Sequence, residues 1–342
     1  MGYTLEESRD YGIVGCTETT GQGNVEPWLT GGFINALKIL ELTIFNGTDP
    51  ITGVIHICKT GEIEDFTYFE EFLAAYKKQV SFYLGQLVEC DNILDSLHGT
   101  LCPNIFESLF IKGCIEKGKT TQAGGAEYNS TTLEIVGVPN VADSLIVIKK
   151  LIYDEKLISW TEFKSLLKSD YKNNPILQQS IKNTIVKYGN DEFEVDSLGS
   201  DILNHLFSEI QQYKSPRNGN YRIALYSIAS HILFAQKTGA SPDGRSFGDV
   251  LADGGVSCSQ GKDISGLTAL LNSVVALDPM KALGSCLLNI RLSPDLFQGE
   301  NLKKLMDTVK TFFLIKGQHV QFNVFNTEMM RDAQNIQKNI QH

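Results

Sequence analysis

The sequence has little of several features that mark common protein classes. Its seven cysteines are odd in number and widely scattered, and they form no CxxC pair and no cluster with histidine at zinc spacing. This pattern argues against a zinc site and against a disulfide framework. No apolar run approaches the roughly 18 residues that cross a bilayer, and the N-terminus has no basic stretch followed by an apolar run. We therefore expect a cytoplasmic protein that is neither exported nor inserted in a membrane.

Positive charge is also in the minority. The 342 residues include 30 basic against 40 acidic side chains, a net charge of -10, and no Lys/Arg stripe with interleaved aromatic residues. A protein that tracks a phosphate backbone needs such a stripe, so nucleic acid is not an expected partner. With 42% hydrophobic and 20% charged residues, the chain can bury a large core and form one large or two medium domains.

A short stretch near the start, Gly15-Cys16-Thr17-Glu18, combines groups that suit chemistry. The thiol of Cys16 and the carboxylate of Glu18 are two residues apart, and glycines flank them at positions 12, 15, 21 and 23. Such glycines allow a tight loop that passes close to a ligand or another chain. If the run is extended, side chains two apart leave on the same side, and both groups then face one substrate.

Hydrophobic periodicity predicts helices that alternate with short strands over the rest of the chain. The predicted helices cover residues 30–44 with Thr30 as the cap, 67–98, 141–152, 160–168, 174–187, 192–213, 263–277, 300–315 and 327–340, after a helical turn at residues 4–8. The predicted strands cover residues 132–138, 221–229, 286–293 and 319–325, and residues 230–234 prolong the second of them. This alternation predicts an α/β barrel or part of one.

One motif suggests a different function. Residues 113–120 match GxxxxGK[ST], the phosphate-binding loop of nucleotide-binding proteins. That loop works by following a strand and opening a helix whose first amides hold phosphate. The paired glycines Gly124 and Gly125 argue against a helix that begins at Lys119. We interpret the stretch as an ordinary glycine-rich connection.

A cysteine-histidine hydrolase is a second alternative, with His98, His231 and His319 as candidate bases. Nothing in the sequence sets any of the three beside Cys16. Taken alone, a lone cysteine is more often a small buried apolar residue than a nucleophile, and Glu18 is more often a solvated carboxylate.

Four motifs, taken in order along the chain, carry a family resemblance. They are the Cys16 loop, the segment 241–245 (Ser-Pro-Asp-Gly-Arg), the segment 251–257 (Leu-Ala-Asp-Gly-Gly-Val-Ser), and the strand 319–324 followed by Arg-Asp-Ala-Gln at 331–334. In this order they resemble glycyl radical enzymes of the pyruvate formate-lyase and glycerol/diol dehydratase group. Asp243 and Arg245 within the second motif are expected to hold a turn.

The resemblance implies a fold and a reaction. The fold is α/β, half of a ten-stranded α/β barrel of the pyruvate formate-lyase type with surrounding helices, formed by residues 1–342 as a single segment. The activity is that of a glycyl radical lyase or dehydratase of anaerobic metabolism acting on a small organic substrate. Cys16 corresponds to the cysteine that becomes a thiyl radical. Glu18 corresponds to the carboxylate that accepts a hydroxyl proton from the substrate radical before water or another group leaves.

The resemblance also points to substrate-binding positions, with departures. Trp28, Thr30 and Tyr226 are the candidate substrate-binding residues, and core packing is an equal interpretation of Tyr226. Thr30 stands where the diol dehydratases have an aspartate, and Thr19 stands where relatives have proline. These departures leave the substrate open. Formate C-acetyltransferase-like and arylacetate decarboxylase-like activities stay as alternatives, as does a non-catalytic remnant of the family.

The same resemblance implies what the chain would work with. We expect it to lack the N-terminal half-barrel and the C-terminal loop that carries the radical glycine. No cofactor or metal is expected to bind directly, because the glycyl radical would come from another segment and be installed by a radical-SAM activating enzyme. The expected partners are therefore complementary glycyl radical enzyme segments in an oligomeric assembly, together with a small-molecule substrate.

Overall fold

The computed structural model of the chain describes the backbone of residues 3–340 and the side chains of residues 3–336. The described strands are β1 (Tyr11–Val14), β2 (Glu18–Gly21), β3 (Val25–Asn35), β4 (Tyr128–Val136), β5 (Asn220–Leu225), β6 (Ser285–Cys286), β7 (Asn289–Leu292) and β8 (Gln321–Val324). β1 and β2 form an antiparallel hairpin. The other strands pair in parallel.

Helices fill most of the chain between these strands. The α-helices are α1 (Leu5–Arg9), α2 (Ala36–Ile44), α3 (Phe69–Leu101), α4 (Ile105–Ser108), α5 (Cys114–Lys117), α6 (Val138–Ile148), α7 (Trp160–Lys168), α8 (Pro175–Thr184), α9 (Phe193–Ile210), α10 (Ser230–Ala235), α11 (Leu267–Ala276), α12 (Gly299–Leu314) and α13 (Thr327–Ile340). Within residues 3–340, none of them is long and apolar enough to serve as a membrane span.

The parallel strands follow one another in chain order. β3, β4, β5 and β6 form one sheet, and β7 and β8 form another. Only two residues separate β6 from β7, and the backbone continues to pair there, because Leu287 N–H donates to Leu225 O (2.9 Å) and Gln321 N–H donates to Leu288 O (2.8 Å). The stretch 285–292 thus pairs with β5 through its first part and with β8 through its second. Helices connect the parallel strands, which confirms the α/β prediction.

The core lies where β4 meets the helices around it. Every residue of β4 from Ser130 to Val136 is buried, as expected of a parallel strand covered on both faces. Gly137 then adopts a φ of +87°, which only glycine tolerates readily, and starts α6. All eleven residues of α6 are buried, and it packs against α9.

The long helix α3 forms an outer wall of this core. It begins where Glu71 Oε2 accepts the backbone N–H of Tyr68 at 3.0 Å, a cap that satisfies an otherwise free donor. Its buried apolar side chains recur at helical spacing, as in Phe69, Phe72, Tyr76, Val80, Leu84 and Val88. The predicted helix 67–98 is therefore present, three residues longer at its end.

Two predicted elements are wrong. Thr30 does not cap a helix, because β3 continues through it to Asn35, whose side chain accepts the N–H of Lys38 (3.0 Å) and caps α2. The apolar residues from Phe33 onward fit both a buried parallel strand and a buried helix, so their spacing does not decide between the two. Residues 230–234 do not prolong β5, since they form α10.

The glycine-rich stretch 113–120 is a connection, as interpreted from the sequence. α5 ends at Gly118, which has a φ of +61°, and only a single 3-10 turn, Thr121–Ala123, follows. A Cβ at Gly125 would lie 2.1 Å from Lys119 O, so this glycine packs directly on the backbone near Lys119. The helix that a phosphate-binding loop needs does not begin here.

Candidate active site at the cysteine hairpin

Cys16 lies at the tip of the β1–β2 hairpin. Val14 pairs with Glu18, which leaves residues 15–17 as the turn, and Gly15 has a φ of +65°. The thiol-bearing residue is exposed, whereas Glu18 is buried. The run therefore turns at the cysteine, as the flanking glycines predict, and the condition that the run is extended does not hold. A three-residue turn changes the direction of successive side chains.

The carboxylate of Glu18 folds back onto this turn. Its Oε2 accepts the backbone N–H groups of Cys16 (2.8 Å) and Thr17 (2.6 Å). A Cβ at Gly15 would come within 2.7 Å of Glu18 Oε1, so a residue without a side chain is required there. The carboxylate thus holds the backbone of the turn that carries Cys16.

Tyr226 holds the other oxygen of Glu18. It follows β5 directly, is 1% exposed, and its hydroxyl lies 2.8 Å from Glu18 Oε1. The same hydroxyl lies 3.0 Å from Glu134 Oε1 and 3.4 Å from Thr30 Oγ1. Burial raises the pKa of this phenol, so it keeps its proton at neutral pH.

Glu134 is a second carboxyl in the site, and the sequence analysis missed it. It lies on β4, is 0% exposed, and its Oε2 has no hydrogen-bond partner. Burial, opposed by hydrogen bonds from Tyr226 and Thr30, raises the pKa of Glu134 to about 8. A signal was present in the sequence, since a glutamate inside a run that reads as a buried strand is uncommon unless it has a partner.

Thr30 reaches the site from an irregularity in β3. Trp28 pairs with Thr131 and Gly32 pairs with Leu133, so three residues of β3 lie opposite Thr132 alone. This bulge takes Thr30 out of the regular ladder, and its hydroxyl contacts that of Tyr226. Thr30 itself is exposed, so the polar cluster has an open side at this residue.

Trp28 lies in a different environment. Its ring packs against His98, with the ring centres 4.6 Å apart, and the guanidinium of Arg217 lies 5.7 Å from its ring centre. Arg217 in turn forms a buried ion pair with Asp95 (2.9 Å). The structure brings Glu18, Thr30 and Tyr226 together around one hydroxyl, and it gives Trp28 separate neighbours.

The hairpin is docked on the sheet by polar contacts. Arg222 of β5 is 2% exposed; it donates to Thr19 O (3.3 Å) and to Thr132 Oγ1 (3.1 Å). The hydroxyls of Thr17 and Ser285 contact each other, and Ser285 Oγ donates to Thr17 O (3.3 Å). These contacts fix the turn that presents the cysteine.

A cavity of about 610 Å³ opens beside the hairpin. Its lining comes from the hairpin, from α1, from β6 and from the segment before β8, and it includes Ile13, Thr17, Cys286 and His319. It offers space next to the turn on which Cys16 is exposed.

Two of the candidate histidines and the turn residues have other contacts, whereas His319 lines the cavity beside the hairpin. His98 packs on Trp28, and His231 Nδ1 lies 3.1 Å from Ser227 Oγ. Arg245 donates from its backbone to Asp243 Oδ1 (3.3 Å), as expected of residues that hold a turn. Among the described residues, no group of three or more His, Cys, Asp or Glu side chains is placed to hold a metal ion.

Comparisons with known proteins show which family the chain resembles. A family model described as pyruvate formate lyase-like matches residues 1–235, and a model described as glycine radical matches residues 252–342. The trans-4-hydroxy-L-proline dehydratase of Clostridioides difficile is 33% identical over 334 residues, which are 97% of this chain and 42% of that protein.

Solved structures give the same picture. The B12-independent glycerol dehydratase of Clostridium butyricum with glycerol bound superposes with a TM-score of 0.94 at 40% identity, over 99% of this chain and 43% of that one. A structure concerned with 1,2-propanediol dehydration in Roseburia inulinivorans gives 0.95 at 36% identity, over 99% and 43% of the two chains. The chain spans about two fifths of the length of the relatives that it matches.

Proposed function

This chain belongs to the pyruvate formate lyase-like family, and on that premise we propose that it is the cysteine-bearing part of a glycyl radical dehydratase or lyase. Its similarity to a hydroxyproline dehydratase and a glycerol dehydratase supports elimination as the reaction class. The observation that carries the proposal is the hairpin itself. An exposed thiol and a buried carboxylate share one turn, and the carboxylate is hydrogen-bonded on both oxygens.

The proposed cofactor is a protein glycyl radical, which supplies hydrogen-atom abstraction when it is present. The match of residues 252–342 to the glycine radical model supports this cofactor, and the exposure of Cys16 at the tip of the hairpin fits a hydrogen-atom relay. We propose that a radical-SAM activating enzyme installs this radical on a glycine in the cytoplasm, and that the thiol of Cys16 would then give up its hydrogen atom to that glycine.

The residues of this chain then have distinct roles. The sulfur of Cys16, as a thiyl radical, takes a hydrogen atom from a substrate carbon, so an S–H bond forms and a C–H bond breaks. Glu18 accepts the proton of the hydroxyl on that carbon, and the neighbouring group leaves with its bonding electron pair. If that group is hydroxide, the proton passes from Glu18 to it and water forms. The product radical takes its hydrogen atom back from the thiol, which restores the thiyl radical.

Thr30 and Tyr226 are proposed to bind the substrate near Glu18. Thr30 is exposed at the open side of the cluster, and the buried hydroxyl of Tyr226 lies 3.4 Å behind it; each hydroxyl can donate or accept a hydrogen bond. A small hydroxylated substrate matches this set of partners. We place Trp28 outside the reacting groups, since its described contacts are with His98 and Arg217.

The test uses the chain together with its complementing segments and an activating enzyme under strict anoxia. Electron paramagnetic resonance should show a glycyl doublet, and turnover of a candidate hydroxylated substrate should then depend on Cys16. Cys16→Ser should abolish turnover and leave the doublet intact, because the stronger O–H bond makes a hydroxyl a poor hydrogen-atom relay. Glu18→Gln should reduce the rate by about 10²–10⁴ through the loss of the base. Turnover by Cys16→Ser at the wild-type rate would refute the mechanism.

A further inference from the structure

Two buried carboxyls meet at one phenol in this site, and the mechanism proposed above uses only one of them. Tyr226 Oη lies 2.8 Å from Glu18 Oε1 and 3.0 Å from Glu134 Oε1. Both carboxyls are nearly inaccessible to solvent, with exposures of 3% and 0%. The three groups come from three elements, the hairpin, β4 and the residue after β5, so their meeting is a product of the fold.

The number of protons available where the phenol meets the two carboxyls limits how many of these groups can be ionised. A phenol has one O–H and can donate to only one of two carboxyl oxygens. The other oxygen lies within hydrogen-bond distance of the phenol oxygen without receiving a proton from it. Two ionised oxygens around a single donor would leave one of them buried and repelled by its neighbour. One of the two carboxyls therefore has to carry a proton and donate it to Tyr226.

The surroundings decide which carboxyl carries that proton. Glu18 Oε2 accepts two backbone N–H groups, and such donors stabilise an ionised carboxylate. Glu134 Oε2 is buried without a partner, a setting that disfavours charge. The raised pKa of Glu134, about 8 and caused mainly by burial, agrees with the geometric assignment.

The charged and titratable neighbours of Glu134 come from every side of the pocket. Glu18 faces it from the hairpin and adds negative charge. Tyr226 contacts it from the end of β5, and Thr30 contacts it from β3. Arg222 of β5 brings a positive charge, and its own pKa is lowered by burial, with attraction to Glu18 and Glu134 acting in the opposite direction.

We propose that Glu134 is a positioning residue for the reaction, a neutral acid that donates its proton to Tyr226 so that Tyr226 donates to Glu18. This inference rests on the proposed function, because it assigns Glu18 the role of base. The hydrogen bonds then run in one direction, from Glu134 through Tyr226 to Glu18. The single negative charge of the pair stays on the carboxylate that shares the cysteine turn.

Ionisation of Glu134 would undo this arrangement. The proton of Tyr226 would then be divided between two carboxylates, and Glu18 would face a second negative charge across the phenol. The assembled enzyme should therefore lose activity on the alkaline side, as pH rises through the pKa of Glu134 at about 8. Tyr226 and Glu134 keep their protons throughout turnover, so no net proton transfer through them is required.

Glu134→Gln is the variant of choice, because a side-chain amide has an N–H donor on one atom and an acceptor on the other, and so imitates the protonated acid in its bond to Tyr226. Glu134→Leu removes the donor at similar size. In the assembled enzyme, Glu134→Gln should retain kcat near neutral pH and lose the alkaline decline. Glu134→Leu should lower kcat by about 10- to 100-fold, the scale of a lost hydrogen bond to a charged group, with a smaller change in KM.

A second readout on this chain does not depend on turnover. Infrared spectroscopy near neutral pH should show the carbonyl band of a protonated carboxyl that is lost in Glu134→Gln and lost in the wild type above about pH 8. Glu162→Gln is the control, because Glu162 accepts the hydroxyl (2.7 Å) and the backbone N–H (3.0 Å) of Ser159, which lower its pKa, so it contributes no protonated carboxyl near neutral pH. In Tyr226→Phe the band should move, since its hydrogen-bond acceptor is removed, and this variant serves if Glu134→Gln does not fold.

The two readouts separate the possible failures. Equal protonated-carboxyl bands in wild type and Glu134→Gln, or an unmoved band in Tyr226→Phe, would overturn the assignment of the proton to Glu134. An unchanged alkaline decline in Glu134→Gln would overturn its positioning role. If no assembly turns over, the proposed function fails, and the infrared result still decides whether Glu134 is the neutral member of the pair.

Discussion

Replacing Glu134 with glutamine should make the stability of the chain less sensitive to pH. In the folded chain the carboxyl of Glu134 has a pKa of about 8, against an ordinary value of 4.5. At a pH between these two pKa values, Glu134 is ionised in the unfolded chain and protonated in the folded chain. The free energy of unfolding therefore falls as pH rises between the two pKa values. Above the folded-state pKa it falls no further on account of Glu134. Glutamine does not titrate, so this contribution disappears in the variant.

The magnitude follows from the width of the window. One pH unit of differential protonation corresponds to about 1.4 kcal/mol, so the advantage of Glu134→Gln over the wild type should grow by about that amount per unit and reach about 4–5 kcal/mol. Full burial of the carboxyl means that little of this effect is screened by solvent. Urea unfolding of both chains at several values between about pH 5 and about pH 8 measures the growth directly.

A second glutamate gives the control. Glu162 is an exposed helix-capping residue that accepts the N–H of Ser159 (3.0 Å), and that bonding lowers its pKa. Its stabilising effect is lost only as pH falls below the ordinary range, so Glu162→Gln should show a constant difference from wild type across the same interval. A constant difference for Glu134→Gln as well would show that Glu134 is ionised in the folded chain and would refute the reasoning.

Three further predictions concern the turn at the cysteine, a buried ion pair and the glycine-rich connection. Gly15→Ala should destabilise the chain by about 1–3 kcal/mol through its positive φ and should sharply reduce turnover by displacing the adjacent carboxylate; thermal unfolding and single-turnover rates check both. Arg217→Met should cost about 3–5 kcal/mol by leaving Asp95 buried and unpaired, whereas Lys77→Met at a partly exposed ion pair should cost about 1 kcal/mol or less; a similar loss for both would contradict the burial argument. Calorimetry should find no magnesium-dependent ATP binding, with Lys119→Ala identical to wild type, and micromolar binding lost in the variant would reverse this interpretation.

The helices were the part of the fold that could best be predicted from the sequence. The helix at 160–168 has the predicted bounds, because a Ser159 cap and a regular apolar stripe both specify it. The strand β3 was missed because Pro27 and the glycines at 31 and 32 interrupt the usual pattern of a strand. Its partner β4 supplies the hydrogen bonds that sequence periodicity does not contain.

The site could be predicted from the sequence only in part, for a similar reason. Cys16 and Glu18 are two residues apart and could be recognised together, and Tyr226 falls within the predicted strand 221–229, although β5 ends one residue before it. The flanking glycines predicted a tight loop at Cys16, and the structure has a turn at residues 15–17; the contacts of Glu18 with that turn could not be predicted. Glu134 joins the site through tertiary contacts alone, from a strand more than a hundred residues away from the hairpin, and no local pattern encodes such a contact.

The bulge in β3 has a consequence for how such a site can diversify. Leu29, Thr30 and Gly31 lie opposite a single residue of β4, so the side chain at position 30 can change while the flanking pairs at Trp28 and Gly32 keep the ladder in register. If Thr30 binds the substrate as proposed, substitutions at this position can change selectivity with little loss of stability. A saturation library at position 30 should therefore yield many folded variants that differ in selectivity, whereas the same library at position 133 should yield few folded ones.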